Sequence, residues 1–352
     1  MKALAVTPLV KNSLRLIDHS LKETDVIVKV LETGVCRTDK EIIMGLYGEA
    51  PPDSNYLIIG HECLGVVVRG SKILKEGDYV VRMVRRPCYD NRCDNCLEGN
   101  QDMCSSGNYT EAGIKGVHGG MAEYFTDTED NLIYIPKEHS GVGVLLEPLS
   151  VVEKATYQVG RIQERLSWNP KRALVIGAGS IGLLEAMLLR LNDMDVFVMA
   201  RSPSGNKKSQ IVEAIDAHYI STEETSFEAF LRTKIKFDFI YEASGNAKII
   251  PLLWAALANN GVLSLSSITG GNEEINFPIE RLNLQTVLGN KLIFGAVNSN
   301  KSDYKTGVKN FMKIKNTWPG ILEKMLTRRV SIDNYTRAFE TSSEDIKTVI
   351  EF

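Results

Sequence analysis

Ala173-Leu-Val-Ile-Gly177-Ala-Gly-Ser-Ile-Gly182 is the stretch on which the fold turns. Four apolar residues run into glycines spaced G-x-G-x-x-G, and a helical texture continues from Ser180 to Leu191. A strand that turns tightly into a helix aims free N–H groups at whatever lies over the turn, and the glycines let a pyrophosphate approach the backbone. A glycine-rich turn can also do no more than pack a helix on a sheet, so the flanks decide. They repeat the unit: the strand Asp195-Val-Phe-Val-Met-Ala200, a polar helix near 206–216, the strand Phe237-Asp-Phe-Ile-Tyr-Glu242, a helix near 247–258, the strand Gly261-Val-Leu-Ser-Leu-Ser266 and a last strand Lys291-Leu-Ile-Phe-Gly295. This alternation predicts an α/β fold with a doubly wound parallel sheet of the Rossmann type. Gly177, Gly179, Ser180, Ile181 and Gly182 are its expected dinucleotide contacts.

The choice of dinucleotide is made at the end of the second strand, where a carboxylate would bind the ribose hydroxyls of NAD. Here the chain has Ala200-Arg201-Ser202; Asp195 sits at the wrong end of that strand, and no other acid precedes Glu213. Arg201 offers a planar fork of donors to a phosphate, with Ser202 and Lys207-Lys208 in support. NADP is therefore the expected cofactor, with NAD tolerated. An arginine at a strand end can equally be a solvated surface charge.

Upstream the texture changes. Short β-branched runs separated by turns, Asp25-Val-Ile-Val-Lys-Val30, Tyr56-Leu-Ile-Ile-Gly60, Leu64-Gly-Val-Val-Val68 and Asp78-Tyr-Val-Val-Arg82, predict a β-rich first domain over residues 1–155. The nucleotide domain follows over 156–295. In the remaining 296–352, Tyr304, Val308 and Phe311 suit one face of a helix, and Ile346, Thr348, Ile350 and Phe352 alternate as a strand does, so this segment is expected to rejoin the first domain. A length of 352 residues, 43% hydrophobic and 24% charged, suits two globular domains. With 41 basic against 44 acidic residues there is no positive field for nucleic acid or an anionic membrane surface. The most apolar run, Ala173–Leu191, is broken by glycines, Glu185 and Arg190, and Ala3-Leu-Ala-Val6 stops at Thr7-Pro8, so neither a membrane span nor an export signal is expected. A cytoplasmic setting follows.

In that reducing setting, six cysteines point to metal before disulfides. Cys88, Cys93, Cys96 and Cys104 fall in one polar loop, a pattern that fits a closed tetrahedral zinc site holding a loop with no core of its own. A second set is dispersed: Cys36 in Gly34-Val-Cys-Arg-Thr-Asp39, His61 and Glu62 in Gly60-His-Glu-Cys63, and Glu147 in Leu146-Glu-Pro-Leu149. Three or four mixed S, N and O donors suit an open zinc site that keeps a place for substrate. Thr38 would put a hydroxyl beside a bound alcohol, Asp39 would orient a histidine ligand, and Cys63 reads as a small buried residue.

These motifs, in this order, resemble the zinc-dependent medium-chain alcohol dehydrogenases over nearly the whole chain. Arg85-Arg86, Glu111-Ala-Gly-Ile114, His118-Gly-Gly-Met121 and Asp345-Ile-Lys-Thr-Val-Ile350 are similar to the archaeal glucose dehydrogenases within them. The resemblance implies a GroES-like catalytic domain beside the Rossmann domain, a homo-oligomer of two or four chains, and catalytic zinc on Cys36 and His61, with Glu62 and Glu147 near the metal. It further implies that Glu111 contacts sugar hydroxyls and that Asn298 lies near nicotinamide and substrate. The family lobe reads C-x2-C-x2-C-x7-C, against C-x4-C-x2-C-x7-C here, and the extra residues fall next to Cys88. The implied reaction is oxidation of an aldose at C1, with Cys36, Thr38, His61 and Glu62 at the chemistry. The competing expectations are a polyol dehydrogenase and a non-catalytic NADPH-binding protein.

Overall fold

The computed structural model describes residues 1–21, 26–90, 92–269, 272 and 274–352. They form two compact units, the first of residues 1–150, 298–311 and 325–352, the second of residues 151–297 and 312–324. Residues 151–155, 296–297 and 312–324, expected with the catalytic domain and the C-terminal segment, cluster with the nucleotide unit. No described helix is long and apolar enough to cross a membrane.

In the first unit the strand Val26–Val35 is central. It pairs antiparallel with Glu62–Arg69 on one side and with Lys347–Glu351 on the other, while Tyr124–Asp127 also pairs with it. The ladder continues through Tyr79–Arg82 to Leu132–Ile135 at one end and through Lys347–Glu351 to Leu326–Ser331 at the other. The expected strand from Asp25 runs on to Val35, and Asp25 itself lies outside the described residues. The final strand does not alternate. Lys347, Thr348, Val349 and Ile350 are all buried, because an interior strand covered on both faces has no solvent side. Three further strands, Lys2–Val6 between Arg15–Asp18 and Leu57–Ile58, make a second small sheet. The core between them is aliphatic: Leu4, Val6, Ile42, Leu57, Ile59, Met121 and Ile350 pack together.

On the helix Lys301–Thr317 Asp303, Tyr304, Gly307, Phe311 and Ile314 are buried, and Tyr304, Gly307, Phe311 and Ile314 form one stripe at i, i+3, i+7, i+10. Gly307 takes the place expected of Val308, because a Cβ there would press on Leu146 and Leu149.

The second unit is one six-stranded parallel sheet. Its order is His218–Ser221, Asp195–Ala200, Arg172–Ile176, Phe237–Glu242, Leu257–Leu265, Leu292–Gly295, so chain order reverses beside Arg172–Ile176. Ligands of such sheets bind at the carboxyl ends of the strands where the order reverses. The helix expected to reach 258 stops at Ala256, and the next strand starts at Leu257 instead of Gly261. Asn260 in the left-handed region and a register slip opposite Phe237–Phe239 absorb the irregularity.

Candidate active site

Gly177 adopts φ +100°, and its N–H donates to the carbonyl of Met199 at 2.8 Å. The helix Ser180–Leu191 begins directly after Gly179. A Cβ on Gly182 would collide with the Gly177 carbonyl, and one on Gly177 would meet the Ala243 carbonyl at 2.9 Å. The turn is thus a bare backbone cradle with a helix N-terminus behind it, which fits a dinucleotide pyrophosphate. Arg201 is exposed, immediately past the strand Asp195–Ala200, while Ser202 is half-buried and its carbonyl accepts the Tyr219 hydroxyl at 2.8 Å. Asp195, at the other end of that strand, is occupied by Arg172 and His218, each at 3.0 Å.

In the first unit one buried carboxylate organises the dispersed donors. Asp39, in the first turn of the helix Arg37–Ile43, accepts from the Cys36 N–H at 2.8 Å and from the Gly60 N–H at 3.2 Å. The same carboxylate stands 3.4 Å from His61 Nδ1, a buried nitrogen with no hydrogen-bond partner. Two loops 25 residues apart in sequence are thereby pinned to one acid. Cys36, His61 and Glu62 present Sγ, a ring nitrogen and a carboxylate oxygen all within 4.8 Å of one another. Ligands about 2.0–2.3 Å from a shared ion are spaced within that limit, and the soft-to-hard donor mix is that of an open zinc site. Burial disfavours the imidazolium form of His61, but Asp39 and Cys36 override it and raise its pKa well above the ordinary value. Protons therefore compete with a metal for this ring.

The sheet register delivers Glu62. It lies opposite Gly34, and any Cβ at Gly34 would run into its carboxylate. From the other neighbouring strand Lys347 reaches in, and its Nζ donates to Glu62 Oε1 at 2.6 Å and Oε2 at 2.5 Å. Both residues are 2% exposed or less. Burial works against the ammonium, yet Glu62 and Cys36 hold the Lys347 pKa above its ordinary value. Sequence reasoning assigned Lys347 no role. The available signal was a lysine inside an otherwise apolar terminal strand, which needs a buried counter-charge.

Glu147 is buried at the start of the helix Leu146–Gln163 and stands outside the group of three donors. Burial pushes its carboxyl up to about 7, His61 pulls it down, and Glu62 raises it again. Thr38 is half-buried, and the hydroxyl of nearby Tyr47 donates to Glu41 Oε2 at 3.1 Å. Glu111 is buried with Oε1 held by Arg85 at 2.9 Å and by Asn298 Nδ2 at 2.7 Å, so Glu111 and Asn298, expected separately near substrate, are directly bonded. Cys63 is fully buried with Sγ against the Gly120 carbonyl.

The lobe brings together all four of its cysteines, Cys88 included, with Sγ atoms within 4.8 Å of one another. Cys93 and Cys104 Sγ are 3.9 Å apart. A tetrahedron with Zn–S of about 2.3 Å has edges of about 3.8 Å. The Ser105 hydroxyl draws Cys93 down to about 5, while burial pushes Cys96 up to about 12. A protonated thiol among thiolates is the charge crowding that a divalent cation relieves.

Residues 140–352 match the family model described as glucose dehydrogenase C-terminus, and residues 22–137 match the alcohol dehydrogenase GroES-like domain. The chain belongs to the glucose dehydrogenase branch of the medium-chain alcohol dehydrogenases. Within this family it is 42% identical over 357 residues to glucose 1-dehydrogenase of Methanocella arvoryzae, covering 100% of this chain and 99% of that protein. Glucose 1-dehydrogenase 1 of Caldivirga maquilingensis is 38% identical over 362 residues, with the same coverage. The structure of Haloferax mediterranei glucose dehydrogenase in complex with NADP, Zn and gluconolactone superposes with a TM-score of 0.92 at 33% identity, over 100% of this chain and 99% of that one. L-idonate 5-dehydrogenase of Escherichia coli, at 18% identity and a TM-score of 0.79, shares the fold.

Proposed function

We propose that the chain is a zinc-dependent glucose 1-dehydrogenase, oxidising an aldose at C1 to the aldonolactone and reducing NADP in preference to NAD. D-glucose is the first candidate substrate, and D-galactose and pentoses are the next. The observation that carries this reading is the meeting of Cys36, His61 and Glu62 from separate segments around one buried aspartate. The relatives, named for glucose, supply the substrate class.

Bound zinc supplies Lewis acidity that lowers the pKa of a coordinated hydroxyl, and bound NADP supplies the hydride acceptor. Cys36 and His61 would hold the catalytic zinc with carboxylate help from Glu62, and Glu147 would lie near the metal and substrate. Asp39 orients the His61 ring from behind. Thr38 would relay the proton of the C1 hydroxyl. Glu111 and Glu147 accept hydrogen bonds from sugar hydroxyls, and a substrate lacking them leaves a buried acceptor unpaired. Gly177, Gly179, Ser180, Ile181 and Gly182 cradle the pyrophosphate, and Arg201 with Ser202 meets the 2′-phosphate. Cys88, Cys93, Cys96 and Cys104 hold a structural zinc.

The reading includes a cytoplasmic setting, where six free thiols persist, and a homo-oligomer. Leu292–Gly295 is one of the two outer strands of its sheet among the described residues, and Leu284, Val287 and Leu288 are exposed in the same unit, features a second copy would cover. Light scattering at dilute concentration tests this, and a monomer would refute it.

The deciding experiment follows NADPH and NADH formation with glucose, galactose, xylose and sorbitol, before and after chelation. Chelator-sensitive oxidation of an aldose with NADP is expected. Activity on sorbitol alone, or NADPH binding with zinc present and no turnover of any aldose, would overturn the reading.

A further inference from the structure

Glu111 is the carboxylate assigned above to the sugar, and its neighbours determine which oxygen a substrate can use. Arg85 donates to Oε1 from Nε at 3.1 Å and from Nη2 at 2.9 Å. Asn298 Nδ2 donates to the same oxygen at 2.7 Å. Three donors saturate Oε1, while Oε2 accepts a hydrogen bond from none of the described residues.

The clamp is itself rigid. Arg85 and Glu111 lie directly opposite each other in an antiparallel ladder. The Arg85 guanidinium stacks 3.7 Å over the Tyr109 ring, and its Nη1 donates to the Asp102 carbonyl at 3.1 Å. Asp102 lies between Cys96 and Cys104, so the guanidinium is anchored on the four-cysteine lobe. Asn298, at φ +60°, also has its carboxamide committed at both ends, since its Oδ1 accepts the Ser299 N–H at 2.9 Å. An arginine fork held by stacking and by a carbonyl has little freedom left, which is what precise orientation of a carboxylate requires.

We propose that Arg85 is a positioning residue for sugar recognition: with Asn298 it fills Oε1 of Glu111 and leaves Oε2 as a single fixed acceptor for one substrate hydroxyl. This rests on the reading of Glu111 as a sugar ligand. A fixed acceptor that takes one hydroxyl rejects the sugar lacking it, whereas a carboxylate free to rotate accepts hydroxyls at several positions. Arg85 thus sets discrimination among aldoses and has no direct part in hydride transfer.

The test uses the zinc-loaded enzyme and its Arg85→Lys and Arg85→Met variants. Initial rates are measured with glucose and with its monodeoxy analogues at C2, C3, C4 and C6, beside NADPH titration by fluorescence and glucose titration of the NADPH complex by calorimetry. Loss of the clamp is expected to raise the glucose KM and Kd by about tenfold to a hundredfold, with kcat within about threefold of wild type. The preference for glucose over the most strongly rejected deoxy sugar should collapse by a similar factor, and NADPH affinity should stay put. If Arg85→Met does not fold, Arg85→Lys and Arg85→Gln carry the test, the former with the smaller shift. Unchanged glucose KM and unchanged deoxy discrimination would overturn the proposal, as would parallel loss of kcat and NADPH affinity, the mark of general damage. A wild-type enzyme inert on every aldose defeats the sugar reading and this inference together, whereas an active wild type indifferent to Arg85 defeats this inference alone.

Discussion

The two units bury their acids against different neighbours. In the catalytic unit three of them are met by fixed cations: Lys347 on Glu62, Arg85 on Glu111, and Arg82 with Arg86 on Asp127, the last two at 2.6 Å each. In the nucleotide unit the hydrogen-bond partners of Glu185 and Glu242 are neutral. Glu185, fully buried in the helix behind the glycine turn, has only the Thr156 hydroxyl at 3.3 Å, and Glu242 takes the N–H groups of Ser244 and Gly245 with the hydroxyls of Ser244 and Ser267. The protonation states diverge accordingly. Burial alone would raise the Asp127 pKa, and the two guanidiniums override it and leave it lowered. Burial of Glu185 is not overridden, and its pKa lies well above the ordinary value. Glu62 and Glu111 are each given a buried cation, whereas burial without a paired counter-charge pushes Glu185, and Glu147 in the catalytic unit, toward the protonated form.

The most direct way to break this contrast is to remove the cation from Glu62. Lys347→Met should cost about 3–5 kcal/mol in denaturant unfolding of the enzyme, because it strands a buried carboxylate, and Lys347→Met with Glu62→Gln should recover most of it. A loss below about 1 kcal/mol would place the pair among weak surface bridges and dissolve the distinction.

The nucleotide unit keeps its proposed ligand-binding cation outside, on exposed Arg201. Arg201→Ser should raise the KM for NADP about tenfold and leave that for NAD nearly unchanged, with no change in unfolding. An equal rise for both cofactors would mean that the guanidinium does not read the phosphate.

The finest test is pH. Because the folded-state pKa of Glu185 is raised above its ordinary 4.5, the stability it contributes is fully present below that value and is lost as pH climbs through the folded value. Glu185→Gln should therefore melt with wild type in acid and pull ahead of it toward alkaline pH. Asp127, lowered from 3.8, behaves in the opposite sense, since its contribution is lost as pH falls through its folded value. Melting curves of Glu185→Gln parallel to wild type from pH 4 to 9 would mean that Glu185 is charged after all.

What could be read in advance follows sequence distance. The glycine turn and the cysteine lobe are contiguous, so spacing alone carried them, and the parallel order of the sheet followed from repetition. The partners of Lys347 and Arg85 follow from ladders whose register no local pattern states, although a lysine inside an apolar terminal strand signals that some buried counter-charge is present. Asn298 was expected at the substrate, yet its carboxamide is committed to Glu111 and Ser299, a bond between residues 187 apart in the chain. Gly307 escaped notice for a different reason: periodicity marks large apolar residues, and a close approach of helices is made by small ones.

Lys347 also imposes an order of events on biosynthesis. Glu62 leaves the ribosome 285 residues before the ammonium that neutralises it, and the strand Val26–Val35 waits longer still for the partner Lys347–Glu351. The catalytic unit cannot mature as a nascent amino-terminal domain; the nucleotide unit, almost all of it contiguous between 151 and 297, is free to form first and template nothing but itself. Premature termination a few codons short of Lys347 would thus release a chain with an intact nucleotide fold beside an open sheet edge and an unneutralised acid, the kind of product that quality-control proteases recognise.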